Sequence, residues 1–125
     1  LTQYKFAVLG AAFKPDSDDV RDSPALDIAA QLHAAGAKVV VHDPKAIENA
    51  RKRFPNLGFA ESIEECVTGA DLILHLTEWK QYRELDPVAI KALTNGAMII
   101  DGRNALDREL WRAAGWKFHA LGRTD

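Results

Sequence analysis

Short apolar runs of strand length recur through the chain and alternate with segments of helical pattern. They lie at 5–10, 38–43, 71–76, 97–101 and 116–122, with a shorter run at 57–60. The runs are continuously apolar rather than alternating, which is typical of strands buried on both faces of a parallel sheet. The sequence therefore predicts an α/β fold in three layers, a parallel sheet of about six strands with helices on both faces.

Capping residues predict where the helices between these strands begin and end. A first helix starts at Ser23 and Pro24 and ends at Gly36, since serine caps, proline suits the first turn and glycine suits the exit. A capping box of Ser62 and Glu65 starts another. The predicted helical segments are 23–36, 45–53, 62–69, 86–96 and 107–115. This order of elements predicts a Rossmann-like sheet with strand order 3-2-1-4-5-6.

Length and composition exclude several classes of protein. The 125 residues suit a single domain, predicted over 1–125, and the net charge of -2 provides no basic field for nucleic acid. No run approaches the ~18 apolar residues of a membrane span, and no signal peptide is visible. The one cysteine, Cys66, excludes an internal disulfide and favours a reducing compartment, so we expect a cytoplasmic protein. Because the chain begins with Leu1 and enters a strand almost at once, we expect a piece of a longer polypeptide.

Three loops are predicted to meet at one edge of the sheet. Ligands of such sheets bind outside the carboxyl ends of the strands, near the point where the strand order reverses. If strands 1, 4 and 5 are neighbours, Lys14, Trp79 and Arg103 converge on that edge. An aromatic ring can stack on a base and two cations can meet a diphosphate, so these residues predict a nucleotide site.

The first of these loops departs from the dinucleotide-binding fingerprint. That fingerprint needs three glycines in a turn that leads directly into a helix. Here only Gly10 is glycine, and the helix waits until Ser23. The turn is therefore not predicted to cradle a cofactor pyrophosphate. Asp43, after the second strand, stands where a ribose-binding acid would lie, but it can equally end the strand and cap the next helix.

Each candidate residue also has a structural interpretation. Lys14 and Arg21 can pair with the aspartates of a solvated loop, at positions 16, 18, 19 and 22. Trp79 alone is more often a packing residue than a platform for a base. Arg103 can be the ion-pair partner of Asp101 or Asp107.

No catalytic residue and no metal site are predicted in this chain. The four histidines are scattered over separate elements without ligand spacing, and His75 favours a structural role. Cys66 lies on a helix and favours a buried position over a nucleophilic one. No nucleophile can be matched with a base, so the chain is predicted to bind rather than to catalyse alone.

Three segments in order resemble a known family. "VLGAAFKPDSDDVRDSPALDIAAQLHAAGAKVVVHDP", "LTEW" and "IIDGRN" resemble the C-terminal, UDP-binding domain of the UDP-glucose/GDP-mannose dehydrogenase family, over essentially the whole chain. "TEW" with "DGRN" is most similar to the UDP-glucose branch, whose enzymes oxidise UDP-glucose to UDP-glucuronate with two NAD molecules. The alternatives are a GDP-mannose or UDP-N-acetylmannosamine dehydrogenase domain, or a stand-alone nucleotide-binding module.

The resemblance implies partners that this sequence does not contain. In the family an N-terminal domain holds NAD and supplies the catalytic cysteine, and a central helical region forms the dimer. The C-terminal domain grips the UDP part of the substrate. Cys66 does not match the catalytic cysteine motif, so we expect the chain to be inactive by itself.

The resemblance also implies roles for individual residues. Phe13, Lys14 and Arg103 are implied to contact substrate, and Trp79 is implied to lie near the base. Arg21 is implied to reach the NAD held by the other domain. The roles of the aspartates around Arg21 do not follow from the resemblance.

Overall fold

A parallel sheet of six strands forms the centre of the molecule. The computed structural model describes residues 4–12 and 14–120. Its strands are β1 (Lys5–Leu9), β2 (Lys38–His42), β3 (Gly58–Phe59), β4 (Leu72–His75), β5 (Met98–Asp101) and β6 (Lys117–Ala120). The strand order is β3-β2-β1-β4-β5-β6 and every pair is parallel, which confirms the predicted fold class and strand order.

Six helices are found in the described part of the chain, one more than predicted. They are α1 (Pro24–Ala34), α2 (Ile47–Arg53), α3 (Ile63–Val67), α4 (Lys80–Arg83), α5 (Pro87–Leu93) and α6 (Arg108–Ala113). The predicted segments are slightly too long because their capping residues lie outside the helices, as when Ser62 Oγ accepts from Glu65 N at 3.1 Å. The missed helix α4 is a single turn without a side-chain cap, so it leaves no sequence signal.

Two apolar cores lie on opposite faces of the sheet, since alternate residues of a strand point to opposite faces. Along β1, Ala7 and Leu9 belong to one core, while Phe6 and Val8 belong to the other. The first core includes side chains of α3, α4, α5 and α6; the second includes side chains of α1 and α2. Helices therefore cover both faces, as the continuous apolar runs predicted.

The ends of β1 and β4 approach each other unusually closely. Gly10 has a φ of 110°, and a Cβ there would lie 2.5 Å from the side chain of Thr77. The hydroxyl of Thr77 donates to Ala12 O at 2.8 Å. At the other end of the same loop, Ser23 Oγ donates to Ala11 O at 2.7 Å. The loop after β1 is thus held at its start by β4 and at its end by the cap of α1.

Candidate functional site

The predicted meeting of three loops is present in the structure. Leu9 is in register with His75, and His75 with Asp101, so the carboxyl ends of β1, β4 and β5 lie side by side. We call the edge formed by the following loops, residues 10–23, 76–79 and 102–107, the rim. Lys14 is exposed and the Arg103 side chain is partly exposed on it. Phe13 lies outside the described residues.

A buried carboxylate organises the rim from below. Asp43 is 2% exposed and follows β2. Its two oxygens accept hydrogen bonds from five donors: Oδ2 from Ala11 N (2.8 Å), Ala12 N (3.0 Å) and Trp79 Nε1 (3.2 Å), and Oδ1 from Lys45 N (2.9 Å) and Ala46 N (2.8 Å). We call this arrangement the Asp43 hub. It joins the turn after β1, the turn before α2 and the loop after β4.

The Asp43 hub explains why the first turn lacks the dinucleotide fingerprint. In that fingerprint, backbone amides of the turn face the pyrophosphate of the cofactor. Here the amides of Ala11 and Ala12 donate to Asp43. Of the two interpretations of Asp43, the structure supports the structural one, because both oxygens are engaged within the chain. Its Oδ1 accepts from Lys45 N and Ala46 N in the turn before α2. The expected helix cap is wrong, since the N-cap of α2 is Ala46 and no side chain caps this helix.

Trp79 is packed beneath the rim. The residue is 3% exposed, and its indole N–H donates to Asp43. Its backbone caps α4, where Tyr82 N and Arg83 N bond to its carbonyl. The geometry matches the packing interpretation of this residue, and its contact with a base stays a prediction.

Arg21 is paired with an aspartate of its own loop. Its Nε and Nη2 donate to the two carboxylate oxygens of Asp19 at 3.1 and 3.0 Å, and its backbone N donates to Asp19 Oδ1 at 2.9 Å. The hydrogen bonds from the side chain and backbone of Arg21 lower the pKa of Asp19 to about 2, and the charge of Lys14 adds to this effect. The Arg21 side chain is 81% exposed. Its contact with a cofactor stays a prediction.

The other aspartates of this loop shape its backbone. Asp16 and Asp22 have φ values of 63° and 54°, in the left-handed region that aspartate and asparagine enter more readily than most residues. The carbonyl of Asp18 accepts from Asn49 Nδ2 at 2.9 Å, which ties the loop to α2. Asn104, on the loop after β5, has a φ of 56°. The loops after β1 and β5 therefore both contain residues in the left-handed region.

The guanidinium of Arg103 is paired with Glu78, which the sequence did not single out. Its Nε donates to Glu78 Oε2 at 3.1 Å. The predicted ion pairs with Asp101 or Asp107 are wrong, because Asp107 caps α6 and Asp101 binds the backbone of Arg103 rather than its side chain. Burial alone raises the pKa of Glu78, but the hydrogen bond from Arg103 and nearby positive charge outweigh it, so this pKa lies below its usual range.

A second buried carboxylate fixes the loop after β5. His75 Nδ1 lies 2.9 Å from Asp101 Oδ1, and both side chains are essentially unexposed. Asp101 also accepts from the backbone N atoms of Arg103, Ala105 and Leu106 at 2.8–2.9 Å. Burial raises the pKa of Asp101, but these hydrogen bonds, with His75 first among them, bring it below its usual value. His75 thus has the structural role that the sequence favoured.

Cys66 is not suited to act as a nucleophile. It is fully buried in the core, and burial raises the pKa of its thiol to about 12. Over residues 4–12 and 14–120, no group of three or more His, Cys, Asp or Glu side chains is placed to hold a metal ion. Within the same residues, none of the helices combines the length and the apolar character that crossing a bilayer requires.

Comparisons with known proteins find similar sequences and similar structures over most of the chain. Residues 7–108 match the UDP-glucose/GDP-mannose dehydrogenase family, UDP binding domain. Over 97% of its length the chain is 38% identical to a UDP-glucose 6-dehydrogenase of Rhizobium meliloti, and over 94% it is 39% identical to the UDP-glucose 6-dehydrogenase TuaD of Bacillus subtilis. Among solved structures, an NDP-N-acetyl-D-galactosaminuronic acid dehydrogenase from Methanosarcina mazei superposes with a TM-score of 0.84 at 34% identity over 96% of the chain.

The matches cover only part of each relative. The chain spans 28% and 26% of the two UDP-glucose 6-dehydrogenases, and 25% of the Methanosarcina mazei chain. The similarity therefore concerns one domain of larger dehydrogenases.

Proposed function

The chain belongs to the UDP-glucose/GDP-mannose dehydrogenase family as its UDP binding domain, and on this premise we propose that its rim binds the UDP part of a UDP-sugar. The family match over residues 7–108 carries the proposal, since it includes all three loops of the rim. The hydrogen bonds of the Asp43 hub also support the proposal. A turn whose amides are engaged by an internal carboxylate has no cradle for a cofactor pyrophosphate, so NAD has its main site elsewhere.

The complete protein, on this proposal, is an NAD-dependent UDP-glucose 6-dehydrogenase that oxidises UDP-glucose to UDP-glucuronate in the cytoplasm. The 38% and 39% identities to UDP-glucose 6-dehydrogenases support this substrate. An N-terminal domain supplies NAD binding and the catalytic cysteine, and a central helical region supplies dimerisation. Residues 1–125 then form one UDP-sugar-binding domain. The buried thiol of Cys66 takes no part in the reaction, because a thiol with a pKa of about 12 carries almost no thiolate near neutral pH.

Different residues of the rim contact different parts of the substrate. Lys14 and Arg103 approach the diphosphate, and Phe13 contacts the substrate beside Lys14. Trp79 holds the rim from below and lies near the base. Arg21 exchanges Asp19 for the cofactor of the facing domain, since an ion pair this exposed is held weakly in water.

Calorimetric titration of this chain with UDP tests the proposal. We expect weak binding that Lys14→Ala or Arg103→Ala weakens by about tenfold, the typical loss when a charged hydrogen bond to an anion is removed. Lys52→Ala is the matched control, because Lys52 is exposed on α2 and outside the rim. GDP titrated in parallel separates recognition of uracil from recognition of guanine. Binding that is unchanged in both rim variants contradicts the proposed site.

An N-acetylated sugar is the second candidate, favoured by the TM-score of 0.84 to the N-acetyl-D-galactosaminuronic acid dehydrogenase. Turnover by the complete protein distinguishes the two. NAD reduction with UDP-glucose and none with UDP-N-acetyl sugars supports the first candidate, and the reverse supports the second. Absence of a cofactor-binding turn and a cysteine-bearing segment in the remainder of the encoded protein would instead leave a stand-alone nucleotide-binding module.

A further inference from the structure

We propose that Glu78 is a positioning residue, which holds the guanidinium of Arg103 so that its two terminal nitrogens face the diphosphate of the ligand. The inference rests on the proposed function, because it concerns how the same rim engages UDP. It assigns a role to an acidic side chain beside an anion site, where a negative charge alone would oppose binding.

The contact between the two side chains engages only one edge of the guanidinium. Arg103 Nε donates to Glu78 Oε2 at 3.1 Å. Within residues 4–12 and 14–120, the structure gives the two Nη atoms of Arg103 no hydrogen-bond partner. An arginine bound at Nε keeps both Nη groups available, and these groups form the fork that matches two oxygens of a phosphate.

The backbone of Arg103 is fixed independently of its side chain. Asp101 Oδ1 accepts from Arg103 N at 2.9 Å, and the same oxygen lies 2.9 Å from His75 Nδ1. The buried His75–Asp101 pair therefore sets where Arg103 leaves the loop, and Glu78 sets the direction of its tip. Together they restrict the rotational freedom of a long side chain before any ligand binds.

Burial distinguishes Glu78 from an incidental surface partner. Its side chain is 27% exposed, whereas the acids of the Arg21–Asp19 and Arg51–Glu48 pairs are 42% and 74% exposed. Its second oxygen, Oε1, is buried without a hydrogen-bond partner in the described part of the chain. Leaving a buried carboxylate oxygen unpaired opposes folding, so a position that maximised stability alone would not favour this side chain.

Pre-organisation and simple charge repulsion predict opposite changes in UDP affinity when the carboxylate of Glu78 is removed. Removing the acid in Glu78→Ala takes negative charge away from an anion site, which by itself tightens UDP binding. If Glu78 orients Arg103, the same variant weakens UDP binding by about threefold to tenfold, because the freed side chain must be ordered on binding. Glu78→Gln keeps an oxygen that accepts from Arg103 Nε, and we expect it to bind UDP within about twofold of the unaltered chain.

Calorimetry with UDP on this chain and its variants is the first measurement. Glu84→Ala is the charge-matched control. Glu84 directly follows α4, is exposed, and pairs with Lys80 at 3.9 Å, whereas Glu78 lies before the helix and pairs with Arg103. We expect this control not to weaken binding. If Glu78→Ala does not fold, as judged from its thermal transition, Glu78→Met takes its place, because it keeps the side-chain length without an acceptor.

A second measurement tests the pairing without any ligand. The Nε–Hε group of Arg103, observed by ¹⁵N NMR, is expected to be protected from solvent exchange in the unaltered chain and in Glu78→Gln. In Glu78→Ala or Glu78→Met the protection is expected to disappear. Should the unaltered chain bind no UDP, the proposed function fails, and this signal still decides whether Glu78 orders Arg103.

Three results overturn the inference. One is a folded Glu78→Ala or Glu78→Met chain that binds UDP as tightly as the unaltered chain or more tightly. Another is an Arg103 Nε–Hε signal that keeps its protection when the acceptor is gone. The third is weaker binding in Glu84→Ala by the same factor, since the effect would then follow net charge and not the contact with Arg103.

Discussion

Replacing the carboxylate of Asp43 by an amide is the sharpest test of the physical argument about the rim. In Asp43→Asn the side chain keeps its shape but only one of its two acceptors. The retained oxygen is best placed toward the three donors at Oδ2, among them the amides of Ala11 and Ala12. The new amide group then faces the backbone N–H groups of Lys45 and Ala46, which are also donors.

The expected loss in the free energy of unfolding follows from these two unpaired backbone donors. A buried donor left without an acceptor costs about 1–3 kcal/mol, which applies to the N–H of Ala46. The N–H of Lys45 is only partly buried and regains water, so the loss of its hydrogen bond adds about 1 kcal/mol. We therefore expect Asp43→Asn to lower the free energy of unfolding by about 2–4 kcal/mol. This is a large fraction of the about 5–15 kcal/mol that a domain of this kind possesses. Asp43→Ala removes all five acceptor contacts and is expected to cost more than Asp43→Asn.

Urea unfolding followed by circular dichroism measures the effect. With a slope of about 2 kcal/mol per molar urea, in the middle of the usual range, the midpoint is expected to fall by about 1–2 M in Asp43→Asn. Asp27→Asn is the matched control, since Asp27 is exposed in the first turn of α1, and we expect a cost below about 1 kcal/mol. A midpoint for Asp43→Asn within about 0.3 M of the unaltered chain, at an unchanged slope, refutes the hub as the organiser of the rim.

Three further outcomes follow from single residues. Gly10→Ala is expected to destabilise the chain by about 1–3 kcal/mol in the same urea assay, since its Cβ would lie 2.5 Å from the Thr77 side chain and its φ is 110°. A urea midpoint equal to that of the unaltered chain contradicts this. Cys66 is expected to resist alkylation by iodoacetamide in the folded chain at pH 8 and to react in urea, because it is buried and its pKa is about 12; rapid labelling of the folded chain counts against the structure. The pKa of Asp101 is lowered by folding, so its contribution to stability is present above the unfolded pKa near 4 and is lost as the pH falls through the folded pKa. Asp101→Asn is therefore expected to be less stable than the unaltered chain at pH 7 and to lose less stability on acidification. Urea midpoints at a series of pH values measure both effects.

The sequence predicted the fold well because its signals are local. Continuous apolar runs mark β1, β2, β4, β5 and β6, and capping residues such as Ser23 mark the helices between them. A parallel sheet then leaves few possible connections, and the strand order follows from the class. Helix α4 escaped prediction since one turn without a cap or an apolar stripe has no local signature.

The site was predicted only in part, since its contacts join distant segments. Asp43 is 32 residues from Ala11 and 36 from Trp79, and Glu78 is 25 residues from Arg103. No periodicity links such positions, so the sequence left Asp43 with two interpretations and assigned Arg103 the wrong partners. A carboxylate directly after a buried strand, facing a turn with few glycines, is the signal that could have suggested the Asp43 hub.

The Asp43 hub also separates the folding of this domain from the supply of its ligand. A turn completed by a bound phosphate gains order when the nucleotide is present and loses it when the nucleotide is scarce, since a ligand stabilises whatever state it binds. Here the chain supplies the negative charge itself, through Oδ2 of Asp43 on the amides of Ala11 and Ala12. The first turn is therefore complete at any nucleotide concentration. UDP bound at the proposed site is expected to raise the melting temperature only through contacts made on the outer surface of the rim.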